Sequence, residues 1–65
     1  MPKLKDLTPS HLRCSPCPAA FKAEDGDLII IGKIVNAAFY PELEHRVGID
    51  EQAVRVPAEL INAAV

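Results

Sequence analysis

From Ala19 onward the chain alternates, with Ala19, Phe21 and Ala23 on one side and Ala20, Lys22 and Glu24 on the other. That period of two predicts a half-buried strand. The polar break Glu24-Asp25-Gly26-Asp27 follows, and Asp25-Gly26 suits the positive φ values of a tight hairpin. The next segment, Leu28-Ile29-Ile30-Ile31-Gly32-Lys33-Ile34-Val35, is apolar on both faces along most of its length. An antiparallel strand with one wet face should alternate, so both sides of this sheet are expected to be covered. The chain's own helices can cover one side. A second copy, in a homodimer, is expected to cover the other.

Outside the hairpin the signals are shorter. Residues 1–7 are charged and are expected to fray. Thr8-Pro9 reads as a helix start, with Thr8 as N-cap and Pro9 in the first turn, and Pro16 and Pro18 limit that helix to about one turn. Residues 36–40 fit no single pattern. Pro41 to Arg46 suits a short helix, with Glu42 and Arg46 one turn apart and Gly48 as its C-cap. Gln52 to Val56 predicts a third strand, with Val54 and Val56 inward and Arg55 outward. Pro57 opens a final helix whose apolar stripe is Pro57, Leu60, Ile61 and Ala64. The expected fold is α+β: a small, three-stranded, mainly antiparallel sheet (hairpin 19–35 plus strand 52–56) with short helices, one of them C-terminal. No repeat or internal boundary divides residues 1–65, so one small domain is expected.

Composition sharpens the expectation of a partner. The 65 residues are 49% hydrophobic and 25% charged, which is the composition of a folded chain. A core of this size rarely leaves more than ~3–5 kcal/mol of net stability without a staple or a partner. The net charge of −2 argues against a dedicated nucleic-acid binder, although Lys3, Lys5 and Arg13 make the first segment locally basic. No apolar run follows the charged start, so no signal peptide is expected. The longest apolar stretch falls well short of the ~20 residues that span a bilayer. No membrane role and a cytoplasmic location are the resulting expectations.

Chemistry concentrates in His11-Leu12-Arg13-Cys14-Ser15-Pro16-Cys17. Cys14 and Cys17 have the Cys-x-x-Cys spacing of half a tetrahedral zinc site, for which His11 and His45 would complete a Cys2His2 set. A second knuckle is missing, and the two histidines stand far apart in the chain. Cys14-Ser15-Pro16-Cys17 could instead form a thiol-redox turn, its two cysteines reacting in turn, but the strand before and long helix after that such a motif requires are missing. They could close a local disulfide, which constrains little of the unfolded chain. They could also be small buried hydrophobes in a proline-rich turn, which is the reading preferred on sequence grounds. The acids at 24–27 lack the spaced ligands of a calcium loop, and Gly32-Lys33 lacks a phosphate-loop pattern. No Ser/His/Asp set or facing carboxylate pair stands out, so no enzyme and no resident cofactor are expected.

Cys17-Pro18-Ala19-Ala20-Phe21 and Ile30-Ile31-Gly32-Lys33 resemble the C-P-A-x-F and I-I-G-K segments of a family of short bacterial proteins. The opening from Leu7 to Cys14 is similar to that family's N-terminal part. The resemblance implies a bacterial, cytoplasmic setting and transfers no functional residue. The leading expectation is therefore a non-enzymatic, self-associating module that binds another protein. A zinc or thiol-redox protein centred on Cys14 and Cys17 is the alternative. The acids Glu24, Asp25 and Asp27 at the hairpin tip would serve either solubility or encounter with a basic partner.

Overall fold

The computed structural model describes residues 3–65. The elements run β1 (Lys5–Asp6), a 3-10 turn (Ser10–Leu12), β2 (Ala19–Lys22), β3 (Leu28–Ile31), β4 (Lys33–Val35), a second 3-10 turn (Ala37–Phe39), β5 (Ala53–Arg55) and α1 (Ala58–Ala64). The α+β class holds, with a three-stranded antiparallel sheet, a second two-stranded sheet and a C-terminal helix. The hairpin forms in the expected register, pairing Ala19 with Ile31, Ala20 with Ile30, Phe21 with Ile29 and Lys22 with Leu28. Its turn uses Gly26 at φ 95°, a conformation that favours a residue without Cβ. Asp25 Oδ1 accepts the Asp27 N–H at 2.9 Å and closes the loop.

The third strand of the main sheet is not residues 52–56. It is β1, which pairs Lys5 with Lys22 and Asp6 with Phe21. The segment expected to fray is therefore held, at least from Lys5; Met1 and Pro2 lie outside the described residues. Thr8 is the reason. Its hydroxyl does not cap a helix but accepts the Ala20 N–H (3.1 Å) and donates to the Ala20 carbonyl (3.3 Å), while the Leu7 N–H donates to the same carbonyl. Thr8 is the one buried polar residue among those described, and its two hydroxyl bonds to Ala20 extend the ladder between the N-terminal segment and β2. The helical turn after it begins one residue later, with Pro9 in the cap position.

The long apolar segment 28–35 is one strand in sequence and two in space. It breaks at Gly32: β3 pairs with β2, and β4 pairs with β5 through Lys33–Arg55, Ile34–Val54 and Val35–Ala53. A Cβ at Gly32 would lie 2.5 Å from Val56 Cγ1 and 2.7 Å from the Arg55 carbonyl oxygen. Only glycine lets the end of β5 cross so close to the strand, and that crossing carries the chain from β5 to α1. Val54 is exposed and Val56 half-buried, so the expected inward pair is only half right. Residues 41–46 form successive turns rather than a helix, and Glu42 and Arg46 make no ion pair among the described residues. Gly48 has no left-handed φ; its N–H donates to Glu51 Oε1 at 2.7 Å and shapes a bend.

α1 packs on β2, where Leu60 and Ala20 are both 0% exposed. Side chains that share a register position share a face, so Ile30 joins Ala20 under the helix. Gly32→Ala is expected to destabilise the fold by ~1–3 kcal/mol, the usual cost of forcing atoms into a packed crossing. Urea unfolding followed by circular dichroism measures it. A midpoint equal to that of the parent chain would show that the crossing relaxes at no cost.

Candidate functional site

The other face of the hairpin is covered only in part, with Ala19 and Phe21 half-buried on β2 and the β3 side open. Ala19, Phe21, Ile29 and Ile31 lie on it by register, with Ile29 44% and Ile31 52% exposed. Two apolar residues on adjacent positions of a half-open sheet face would be unremarkable singly, but here they form one contiguous surface. A second exposed apolar pair, Ile34 and Val54, lies on β4 and β5, and Phe39 is 77% exposed beside it. A groove of about 360 Å³ runs there between Lys33, Asn36, Phe39, Tyr40 and Arg55.

The whole molecule is correspondingly loose. Its accessible surface is 5409 Å², whereas a globular monomer of its mass should expose about 4,100 Å². Its radius of gyration is 13.2 Å, against about 10.7 Å for a compact chain of this length. Both quantities say that this chain leaves open a surface that a compact monomer of its size would close.

The cysteine turn borders the half-open face. Cys14 and Cys17 are joined as a disulfide, Cys14 exposed and Cys17 half-buried, so they are not the buried hydrophobes expected from sequence. The turn begins where the 3-10 segment ends, and Pro16 and Pro18 keep it out of regular structure. A groove of about 180 Å³ lies beside it, lined by Pro16, Cys17, Pro18, Ile31, Gly32 and Lys33. The four proposed metal ligands are otherwise employed or set apart. His11 Nε2 donates to Glu59 Oε2 at 3.1 Å and links the 3-10 turn to α1, both groups exposed. His45 lies in the turns at 41–46. Among the described residues no three of His, Cys, Asp and Glu gather as a metal set.

One basic residue on the N-terminal side is engaged within the chain. Arg13 Nε donates to the Thr8 carbonyl at 2.9 Å and lies 3.7 Å from Asp6 Oδ2. The expected basic patch thus loses one of its three members to a structural role. Hydrogen bonding from Thr8, whose N–H donates to Asp6 Oδ1 at 2.9 Å, with Arg13 adding to it, holds the Asp6 carboxyl below its ordinary range. Lys33 and Arg55 face each other directly across β4 and β5, and neither has an ion-pair partner among the described residues. Like charges in that position oppose pairing. Sequence reading missed this pair because it placed strand 52–56 in the hairpin's sheet without a neighbour or register, and only the pairing of β4 with β5 sets Arg55 opposite Lys33.

Comparison with protein-family models, curated proteins and solved structures finds no match to this chain. No helix is long and apolar enough to cross a membrane among the described residues.

Asp6 makes a pH prediction. Its folded pKa lies below the model-compound value of 3.8, so it adds stability above that value and loses it as pH falls through the folded pKa. Asp6→Asn should therefore lower stability near neutrality and flatten the acid limb of the stability curve below pH 3.8. Chemical unfolding at a series of pH values reads this. A variant whose acid limb matches the parent's would assign the acid sensitivity to other carboxyls.

Proposed function

We propose that this chain is a non-enzymatic protein-interaction module that works as a self-associated pair, with the half-open face of β2 and β3 as its contact surface. The observation that carries the reading is the surplus of exposed surface together with its location. A standard stable interface takes about 800 Å² from each partner, and the chain exposes roughly 1,300 Å² more than a compact monomer would. Phe21, Ile29 and Ile31 put apolar area where that surplus can be removed from water. The bacterial, cytoplasmic setting implied by the C-P-A-x-F and I-I-G-K segments belongs to the same reading. What the pair then binds is a further protein; Phe39, Tyr40 and the groove beside them offer exposed aromatic area for it.

Analytical ultracentrifugation tests the pair. The expected result is a species of twice 7.1 kDa that Ile31→Lys converts to a folded monomer, because Ile31 is half-exposed in the single chain. Ile30→Lys should instead unfold the protein, since Ile30 lies opposite buried Ala20 under α1. A folded 7.1 kDa monomer at high concentration would remove the reading.

One observation favours a second reading, thiol–disulfide exchange. A cytoplasmic disulfide is usually catalytic or redox-sensing, and the Cys14–Cys17 bond has an exposed member beside an apolar groove. In exchange, the thiolate of a protein dithiol would attack Cys14 Sγ, Cys17 would leave as thiolate, and the second substrate thiol would release the mixed disulfide, leaving both cysteines reduced. The interaction-module reading expects Cys14→Ser/Cys17→Ser to leave the pair intact and stability lowered by about 2 kcal/mol or less, since the closed loop is tiny. Loss of a dithiol-oxidising activity in that variant would favour exchange. Native mass spectrometry of the reduced protein adds the metal arm: a zinc adduct lost with either cysteine would support the Cys14, Cys17, His11 and His45 set.

A further inference from the structure

The half-open face carries a charge pattern that selects one arrangement of the pair. Alternate residues of a strand share a face, so Ile29 and Ile31 define a row along β3. The row extends back to Asp27, because the Ala23 N–H donates to the Asp27 carbonyl at 2.8 Å and continues the β2–β3 ladder by one step. Beyond the break at Gly32, Lys33 opens β4 and lines the same groove as Ile31, Pro16 and Pro18, which sets a base next to that end of the row. The row therefore reads acid, isoleucine, isoleucine, base. Glu24 and Asp25 reinforce the acidic end and Arg55 the basic one. Neither Asp27 nor Lys33 has an ion-pair partner among the described residues.

We infer that a second copy covers this face with its β3 antiparallel to the first. In that arrangement Ile29 of each chain meets Ile31 of the other, and Asp27 of each meets Lys33 and Arg55 of the other. The inference rests on the self-association reading and adds direction and register to it. Charge complementarity decides the direction. Parallel packing would set acid on acid and the Lys33/Arg55 pair on its own copy, which costs energy at both ends. Antiparallel packing joins opposite charges at both ends around one apolar centre. It also supplies the anion that the facing Lys33 and Arg55 lack within one chain. The two-fold axis lies between the sheets and across the strands, so the contact closes at two copies and does not propagate into a fibre. Face-to-face sheets lie about 10 Å apart, a spacing that isoleucine side chains from both copies fill.

A charge exchange tests it. Two variants are made, Asp25→Lys/Asp27→Lys and Lys33→Glu/Arg55→Glu, with circular dichroism to confirm that each folds. Each alone should self-associate about tenfold more weakly or worse at low salt, because like charges then meet at both ends. Mixed in equal amounts, they should form a heterodimer near the parent affinity. If both variants pair as tightly as the parent, or weaken without the mixture recovering, the antiparallel register is overturned while self-association stands. If the parent chain itself is monomeric, the self-association reading falls and the register falls with it. Should a reversed variant fail to fold, Asp27→Asn and Lys33→Gln serve instead. Each should reduce the salt dependence of the parent's association, and an unchanged salt dependence overturns the register equally.

Discussion

One leucine carries the core. Leu60, on a helix of seven residues, is the largest side chain fully withdrawn from water, and it shares that state with Ala20. So small a buried centre cannot offset the conformational entropy of ordering the whole chain with much to spare. Much of the rest of the fold answers that shortage. Thr8 hydrogen-bonds to Ala20 directly behind the core and draws the N-terminal segment into the sheet. Arg13 bonds back to Thr8, and His11 reaches Glu59 on α1, so polar contacts surround the one apolar contact. These outer bonds are exposed or partly so and individually weak. What they share is position: His11 ties the 3-10 turn to α1, and Arg13 ties its loop to Thr8, which is itself bonded to Ala20 of β2.

The second constraint is Gly32. A strand apolar on both faces normally belongs in the middle of a covered sheet. Here the same composition is divided between two sheets, and each half keeps one face toward the chain and one toward solvent. The hairpin was legible because its signals are local: alternation, a turn glycine and a second apolar run. The C-terminal helix was legible for the same reason. The partner of residues 53–55 was not, because the Gly32 crossing depends on Arg55 and Val56 arriving from far along the chain. The strand at Lys5–Asp6 was also hidden, since nothing in two charged residues announces a strand; a threonine hydroxyl two positions later holds it there. Pro41 to Arg46 shows the converse failure, where good helix spacing lacks a surface to pack against and settles into turns.

The site was legible in part. Cysteine spacing identified a turn and its chemistry, and the sequence left open whether the sulfurs pack, bind metal or bond to each other. Their fate depends on burial, and burial depends on the tertiary position of Pro16 and Pro18 against Ile31 and Gly32. The expectation of a covered second face rested on the apolar run, and within a single chain that face stays open at Ile29 and Ile31. Reading the run only as apolar concealed the charged ends of the same row.

Those charged ends resolve a tension in the fold. A flat apolar surface on a hairpin with an open edge strand invites indiscriminate association, and proteins usually interrupt such surfaces with charge. Placing lysine or aspartate at the centre of the row would protect the monomer but abolish any specific contact. Placing them at its ends leaves Ile29 and Ile31 free and makes every shifted or parallel alignment set a charge against an apolar side chain or a like charge. The cost of misalignment is electrostatic and desolvation together, so it is largest where the apolar contact is tightest. Apolar area supplies attraction without direction, and the terminal charges supply direction with little net attraction of their own. In the proposed pair, positions 27, 29, 31 and 33 would let a chain with so small a core complete it against a second copy in one alignment.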